Sequence, residues 1–241
     1  MEKRRIDREI DSFRQAILKY VPLDLRAPLS AIIGFSEMIL GEIDTAEMTD
    51  VPAMAENILV AGYRIHERVE KFLTLNELCT QHLTSEFFSL SPTMHMNDRI
   101  VRDIISKHYA RNKIHSRIAI NIKPATMMIH EYYLTIVLKE LLENAAQYSN
   151  PDSEILVHGS VHDNTYCLSI RDFGIGMNKE EIARLAECAP CRLPADHQSM
   201  THLGLAIVRK VMELCKGEIS FDSKKRSHTT VNVYFPMTAG V

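Results

Sequence analysis

A chain of 241 residues has room for one large domain or two small ones, and two are expected here. Hydrophobic residues make up 46% and charged residues 24% of it, with nine glycines and nine prolines, which excludes a disordered or collagen-like polymer and leaves an ordinary chain able to bury a core. Lys and Arg number 28 against 31 Asp and Glu, a formal charge of −3, so no basic field draws the chain to nucleic acid or an anionic membrane.

No apolar run approaches the roughly 18 to 20 residues of a membrane helix. The start, Met1 to Asp7, is charged and lacks the apolar stretch of a secretory signal. Cys79, Cys167, Cys188, Cys191 and Cys215 are too few and too scattered for a disulfide framework. A cytoplasmic protein with no direct membrane insertion is the expectation.

In chain order, Ile6, Ile10, Phe13, Ile17, Val21, Leu25, Leu29, Ile32, Ile39 and Ile43 recur at helical spacing, with a bend expected around Pro22 and Pro28. After the polar stretch Gly41 to Asp50, a second stripe runs through Val51, Met54, Ile58, Ala61, Ile65, Val69, Phe72 and Cys79. Two such helices form an antiparallel hairpin whose stripes cannot cover each other fully, so a homodimeric four-helix bundle is expected. The texture changes near residue 85, giving a helical domain over 1–84 and a second domain over 85–241.

In the second domain the pattern predicts helices at Asn97 to Arg111, Glu131 to Tyr148, Lys179 to Glu187 and Leu203 to Cys215. Strands are predicted at Glu86 to Leu90, Ile118 to Ile122, Met127 to Ile129, Ile155 to Val161, Tyr166 to Arg171, Glu218 to Asp222 and Thr229 to Phe235. A polar turn, Ser223 to Ser227, separates the last two. Without a regular βαβ alternation, this is an α+β sandwich: a mixed sheet covered mainly on one face.

Four segments carry chemistry. Leu23-Asp-Leu-Arg-Ala-Pro-Leu-Ser-Ala-Ile-Ile-Gly-Phe-Ser-Glu37 resembles the phosphoacceptor helix of sensor histidine kinases, whose pattern runs His-Glu-Leu-Arg-Thr-Pro-Leu. Arg26, Pro28, Leu29, Ile32, Gly34, Phe35 and Glu37 fit it, but Leu23 stands where the histidine belongs. Phosphoryl acceptance needs a nucleophilic lone pair, which an aliphatic side chain lacks. The resemblance gives Asp24 the role of the acidic neighbour that helps activate the histidine. It puts Ala27 where a polar residue positions water for dephosphorylation of a response regulator, and Ala27 has no group with which to do so.

Glu140-Leu-Leu-Glu-Asn144-Ala-Ala-Gln-Tyr148-Ser resembles the N-box of the GHKL nucleotide-binding superfamily. The resemblance implies Mg²⁺ held through the Asn144 amide oxygen, a hard ligand, with Glu140 one turn away to polarise a nucleophile or water. It also places Tyr148 in the nucleotide site. Gln147 is neutral where these kinases often carry a Lys for the phosphates. Arg171-Asp172-Phe-Gly174-Ile-Gly176-Met resembles the Asp-x-Gly-x-Gly box of the same superfamily. There Asp172 accepts from the adenine amino group, while Gly174 and Gly176 let the backbone come close to the ligand. Met200-Thr-His202-Leu-Gly204-Leu205 resembles the second glycine box, with Gly204 alone retained of its glycines. Amides at that helix start, Gly204 and Leu205, remain able to meet phosphate oxygens.

Two further features carry less. Cys188-Ala-Pro-Cys191 with His197 and His202 offers zinc-type ligands, but the Cys-to-His gap is shorter than zinc-finger spacing. Lys224, Lys225 and Arg226 read as a solvated hairpin turn.

The resemblance therefore implies a Bergerat-type, two-layer α/β sandwich binding ATP or ADP with Mg²⁺, joined to a dimeric bundle. Its partners would be a response regulator receiver domain or another histidine kinase. Three readings stand: a pseudokinase that cannot autophosphorylate at Leu23, an active kinase that phosphorylates a His on a partner, and a GHKL-type ATPase with Glu140 as base.

Overall fold

The computed structural model describes residues 27–39, 50–81, 94–109, 116–187 and 203–237. Leu23, Asp24, the strand expected at Glu86 to Leu90, the domain boundary at 84/85 and the cluster of Cys188, Cys191, His197 and His202 lie outside them. The described residues form two compact units. One holds 27–39 and 50–76, and the other begins at Glu77 and takes in all later described residues except Leu203.

In the first unit, residues 27–39 are helical (α1) and Val51–Gln81 form α2, which continues into the second unit. The α2 stripe is only partly covered. Met54 and Ala61 are buried, whereas Val69 on the same stripe and Leu59, Tyr63 and Leu73 outside it remain exposed, as do Leu29, Ile33 and Met38 of α1. No helix among the described residues is long and apolar enough to cross a membrane.

The second unit adds β1 (Met94–Met96), α3 (Asp98–Tyr109), β2 (Ile118–Ile122), β3 (Ala125–Met127), α4 (Glu131–Tyr148), β4 (Ile155–His162), β5 (Thr165–Asp172), α5 (Lys179–Glu187), α6 (Leu203–Leu214), β6 (Glu218–Lys224) and β7 (His228–Pro236). A five-stranded sheet has the order β2-β4-β5-β7-β6, and β1 pairs with β3 apart from it. β2 and β4 are parallel; the other neighbours in the large sheet are antiparallel, so the sheet is mixed as expected.

Alternation along the strands decides which face is covered. Ile122, Ile155, Val157, Tyr166, Leu168, Ile170, Val233 and Phe235 are buried on one face, where α3 packs on β2 and α4 on β4 and β5. Their neighbours Asn121, His158, Ser169 and Asn232 point the other way and are polar. Burying the eight apolar side chains, at about 1.5–3 kcal/mol each, is the main force holding sheet to helices.

Local chemistry sets the helix ends. Asn178 and Glu181 form a reciprocal capping box at the start of α5: Asn178 Oδ1 accepts from the Glu181 amide at 2.8 Å and Glu181 Oε2 from the Asn178 amide at 2.7 Å. His130 Nδ1 accepts the Tyr132 amide at 3.1 Å and caps α4. α6 ends at Leu214, one residue short of the expected Cys215, where Lys216 turns left-handed (φ 54°) and the Gly217 amide reaches back to the Met212 carbonyl at 2.8 Å. The strand expected at Met127 to Ile129 lies instead at Ala125–Met127, because its partner is β1: Met94 pairs with Met127 and Met96 with Ala125.

Candidate nucleotide-binding site

The site is organised along α4. Glu140 and Asn144 stand one turn apart on it, and residues four apart share a helix face. Glu140 is buried, 4% exposed, and a Cβ placed on Gly204 would collide with its Oε2, so the start of α6 seats against this carboxylate. Asn144 is half-buried, Leu205 buried and Gln147 exposed. The N-box and the second glycine box, more than fifty residues apart in sequence, thus meet at Glu140 and Gly204.

One turn further on, α4 meets the glycine loop. The Ile175 amide donates to the Tyr148 carbonyl at 3.2 Å, the Asn150 amide to the Phe173 carbonyl at 3.4 Å, and Ser149 bridges Gly174. A Cβ on Gly174 would strike the Tyr148 carbonyl, and one on Gly176 would strike the Lys224 carbonyl; Gly176 also sits at φ 58°. At both positions, what the missing side chain makes room for is this chain's own backbone, a close approach that a residue with a Cβ cannot make. Tyr148 is likewise engaged here through its carbonyl.

Two residues that the sequence did not single out hold this arrangement. Arg117 donates to the Ser153 carbonyl at 2.8 Å, and to Ser149 Oγ and the Asn150 carbonyl at 2.7 Å each, fixing the exit of α4. Ser223 Oγ accepts the Met177 amide at 2.8 Å and donates to the His228 carbonyl at 2.8 Å, tying the glycine loop to the β6–β7 hairpin. In sequence both are ordinary polar residues near turns. Their role exists only where three elements converge. Lys224, Lys225 and Arg226 are exposed at that hairpin turn, as expected, with Lys225 Nζ 3.7 Å from Glu181 Oε1.

Asp172 ends β5 on the helix-covered face and is 6% exposed. Its Oδ1 is shielded from solvent and receives no hydrogen bond. Burial raises its pKa to about 6, against the lesser stabilising effects of the Gly174 amide and of His228. Thr229 faces it across the β5–β7 ladder. A carboxylate is an acceptor only, so an orphaned buried oxygen here calls for a donor such as the exocyclic amine of a purine. The residues present fit an adenine nucleotide: Asp172 offers an unmatched buried acceptor, and α4 offers the carboxylate of Glu140 and the amide of Asn144. Among the described residues no group of three or more His, Cys, Asp or Glu forms a metal cluster.

Similarity to known proteins agrees with this geometry. Residues 130–239 match the family of histidine kinase-, DNA gyrase B- and HSP90-like ATPases. The heme sensor protein HssS of Staphylococcus saprophyticus is 25% identical over 230 residues, covering 95% of this chain and 48% of that protein. The cell-division control histidine kinase PdhS of Brucella anthropi is 25% identical over 244 residues, covering 94% of this chain and 22% of that one. The chain thus spans less than half the length of these curated relatives. The Acinetobacter baumannii histidine kinase AdeS shares the fold at a TM-score of 0.64 and 19% identity, over 90% of this chain and 98% of that chain. Full-length ShkA in complex with AMPPNP shares it at 0.55 and 16%, over 89% and 47%. Residues 130–239 therefore form a histidine kinase-, DNA gyrase B- and HSP90-like ATPase domain, and over nearly its whole length the chain is similar to sensor histidine kinases.

Proposed function

We propose that the chain is the core of a two-component signalling protein that binds ATP or ADP and does not phosphorylate itself at the usual position. It acts as a dimeric, cytoplasmic pseudokinase, and its nucleotide occupancy regulates a response regulator receiver domain or another histidine kinase. The observation that carries the reading is the buried, unmatched Asp172 oxygen on a chain whose residue 23 is leucine.

Asn144 would hold Mg²⁺ through its amide oxygen, and that ion neutralises phosphate charge when bound. The exposed, neutral Gln147 adds no cation toward the triphosphate. The homodimer is supported by the exposed apolar residues Leu59, Tyr63 and Leu73 of α2, which a second copy would cover. The domain division at 84/85 goes with this reading, the helical part serving assembly and the remainder the nucleotide.

Incubation with γ-labelled ATP and Mg²⁺ tests the proposal. No acid-labile label on this chain is the expected result, and label on it overturns the reading.

A second reading rests on Glu140, a carboxylate retained one turn from Asn144, and on Asp24. In it the domain donates to a histidine elsewhere: the γ-phosphoryl group moves to an imidazole nitrogen of a partner, ADP leaves, and a carboxylate takes the displaced proton. Label appearing on an added His-bearing homologue, but not on this chain, selects it. The ATPase reading, with Glu140 as base toward water, requires steady phosphate release without any protein acceptor.

A further inference from the structure

The face of the large sheet turned away from the helices is not a uniformly solvated surface. It carries a concavity of about 520 Å³, whose lining includes Asn121, His158, Ser169, Arg171, Asp222 and Asn232. Strand register builds it in rows. Asn121, His158, Ser169, Asn232 and Ser220 are successive partners across all five strands. Leu156, Arg171, Thr230 and Asp222 form the next row.

In the first row Ser169 Oγ donates to Asn232 Oδ1 at 2.6 Å, and Asn232 Nδ2 donates to Ser220 Oγ at 3.3 Å. Arg171 differs from these satisfied neighbours. Its Nε is shielded from water and meets no acceptor, while the guanidinium lies over the Phe173 ring, 5.2 Å from the centroid. A shielded donor without an acceptor is costly, and stacking holds the planar fork in place before any acceptor arrives. The acid in its row, Asp222, lies two strands away beyond Thr230, roughly 10 Å by strand spacing. Asp222 Oδ2 is instead 3.7 Å from His228 Nε2.

We infer that this concavity is a second binding site, for a small carboxylate whose head group is received by Arg171 and whose hydroxyl or amide body lies along the Ser169–Asn232 row. A carboxylate matches the two parallel N–H groups of a guanidinium fork. The volume is that of a metabolite site. The negative charge of Asp222 at the far side disfavours a polyanion such as a nucleoside triphosphate, which separates this site from that of Asp172. The two are back to back: Arg171 and Asp172 are consecutive on β5 and face opposite sides of the sheet.

The test is a ¹H–¹⁵N titration of the full chain with sodium lactate, a hydroxy monocarboxylate, and separately with inorganic phosphate, at constant ionic strength. Lactate is expected to shift the Arg171 Nε–H and the Asn121 and Asn232 side-chain amide signals saturably. Arg171→Gln should weaken that response by about tenfold or more, the loss of a charge-assisted bidentate contact. ATP titration of the same variant, read at the Gly174 and Gly176 amides, reports the Asp172 site separately, so failure of one site is distinguishable from failure of the other. Should Arg171→Gln not fold, Arg171→Lys keeps the charge, loses the fork and should still weaken binding. Absence of saturable shifts with lactate, equal shifts in a folded Arg171 variant, or a response to phosphate alone overturns the assignment.

Discussion

Asp172 is held at a cost. Its ordinary carboxylate pKa of 3.8 rises to about 6 in the folded chain because burial disfavours the charge. A raised carboxylate pKa means the folded state binds the proton more tightly than the unfolded state, so this group lowers stability above pH 6 and ceases to do so as pH falls toward 4. Asp172→Asn should therefore raise the unfolding free energy at pH 7 by up to about 3 kcal/mol, seen as a higher thermal midpoint, with most of the gain gone by pH 4. The same variant should lose ATP affinity, since an amide cannot replace a charged acceptor in full. In the native chain the nucleotide's donor requires the ionised form. ATP affinity should be flat above pH 6 and fall by about tenfold per unit below it, as read by calorimetry across pH 5 to 8. A flat profile through pH 5 would show that Asp172 does not meet the base. At the neighbouring turn, Gly174→Ala drives a methyl into the Tyr148 carbonyl and should cost about 1–3 kcal/mol in urea unfolding even without nucleotide. A ligand-only role for this glycine predicts no change there.

At the scale of elements, the helices whose ends are written in local chemistry were legible. α4 and α5 occupy the spans expected from sequence, one opened by the His130 cap and the other by the Asn178–Glu181 box. β1 was missed because three residues, Met94 to Met96, give alternation too little length to register, and β3 shifted because its pairing with β1 fixes its register. Asp172, Asn144 and Glu140 could be singled out as candidates because their motifs are contiguous in the chain. Arg171 was not: a polar residue on an alternating strand reads as solvated, and that it lacks an acceptor is a property of the folded sheet. Arg117 was hidden for the same reason, since its acceptors lie at residues 149, 150 and 153. Because these bonds pin the α4 exit against the glycine loop, Arg117→Ala should lower stability by about 1–3 kcal/mol in thermal unfolding and weaken ATP binding with it. Normal affinity in a destabilised variant would confine Arg117 to the scaffold.

For the whole molecule, the exposed apolar residues of α1 and α2 contrast with the closed core of the nucleotide domain. The proposed homodimer accounts for the difference. Light scattering at micromolar concentration should report twice the mass of one chain, and a Leu59→Glu, Leu73→Glu double variant should report one. A native monomer rules out the dimeric bundle while leaving the nucleotide domain intact. The proposed signalling without self-phosphorylation depends on whether the domain takes its nucleotide. Calorimetric titration with ATP, with and without Mg²⁺, on the native chain and on Asp172→Ala decides this most directly. The native chain should bind saturably, more tightly with Mg²⁺, and the variant should lose at least about tenfold in affinity. Indistinguishable isotherms for the two proteins, or no heat of binding to the native chain, would contradict the proposal.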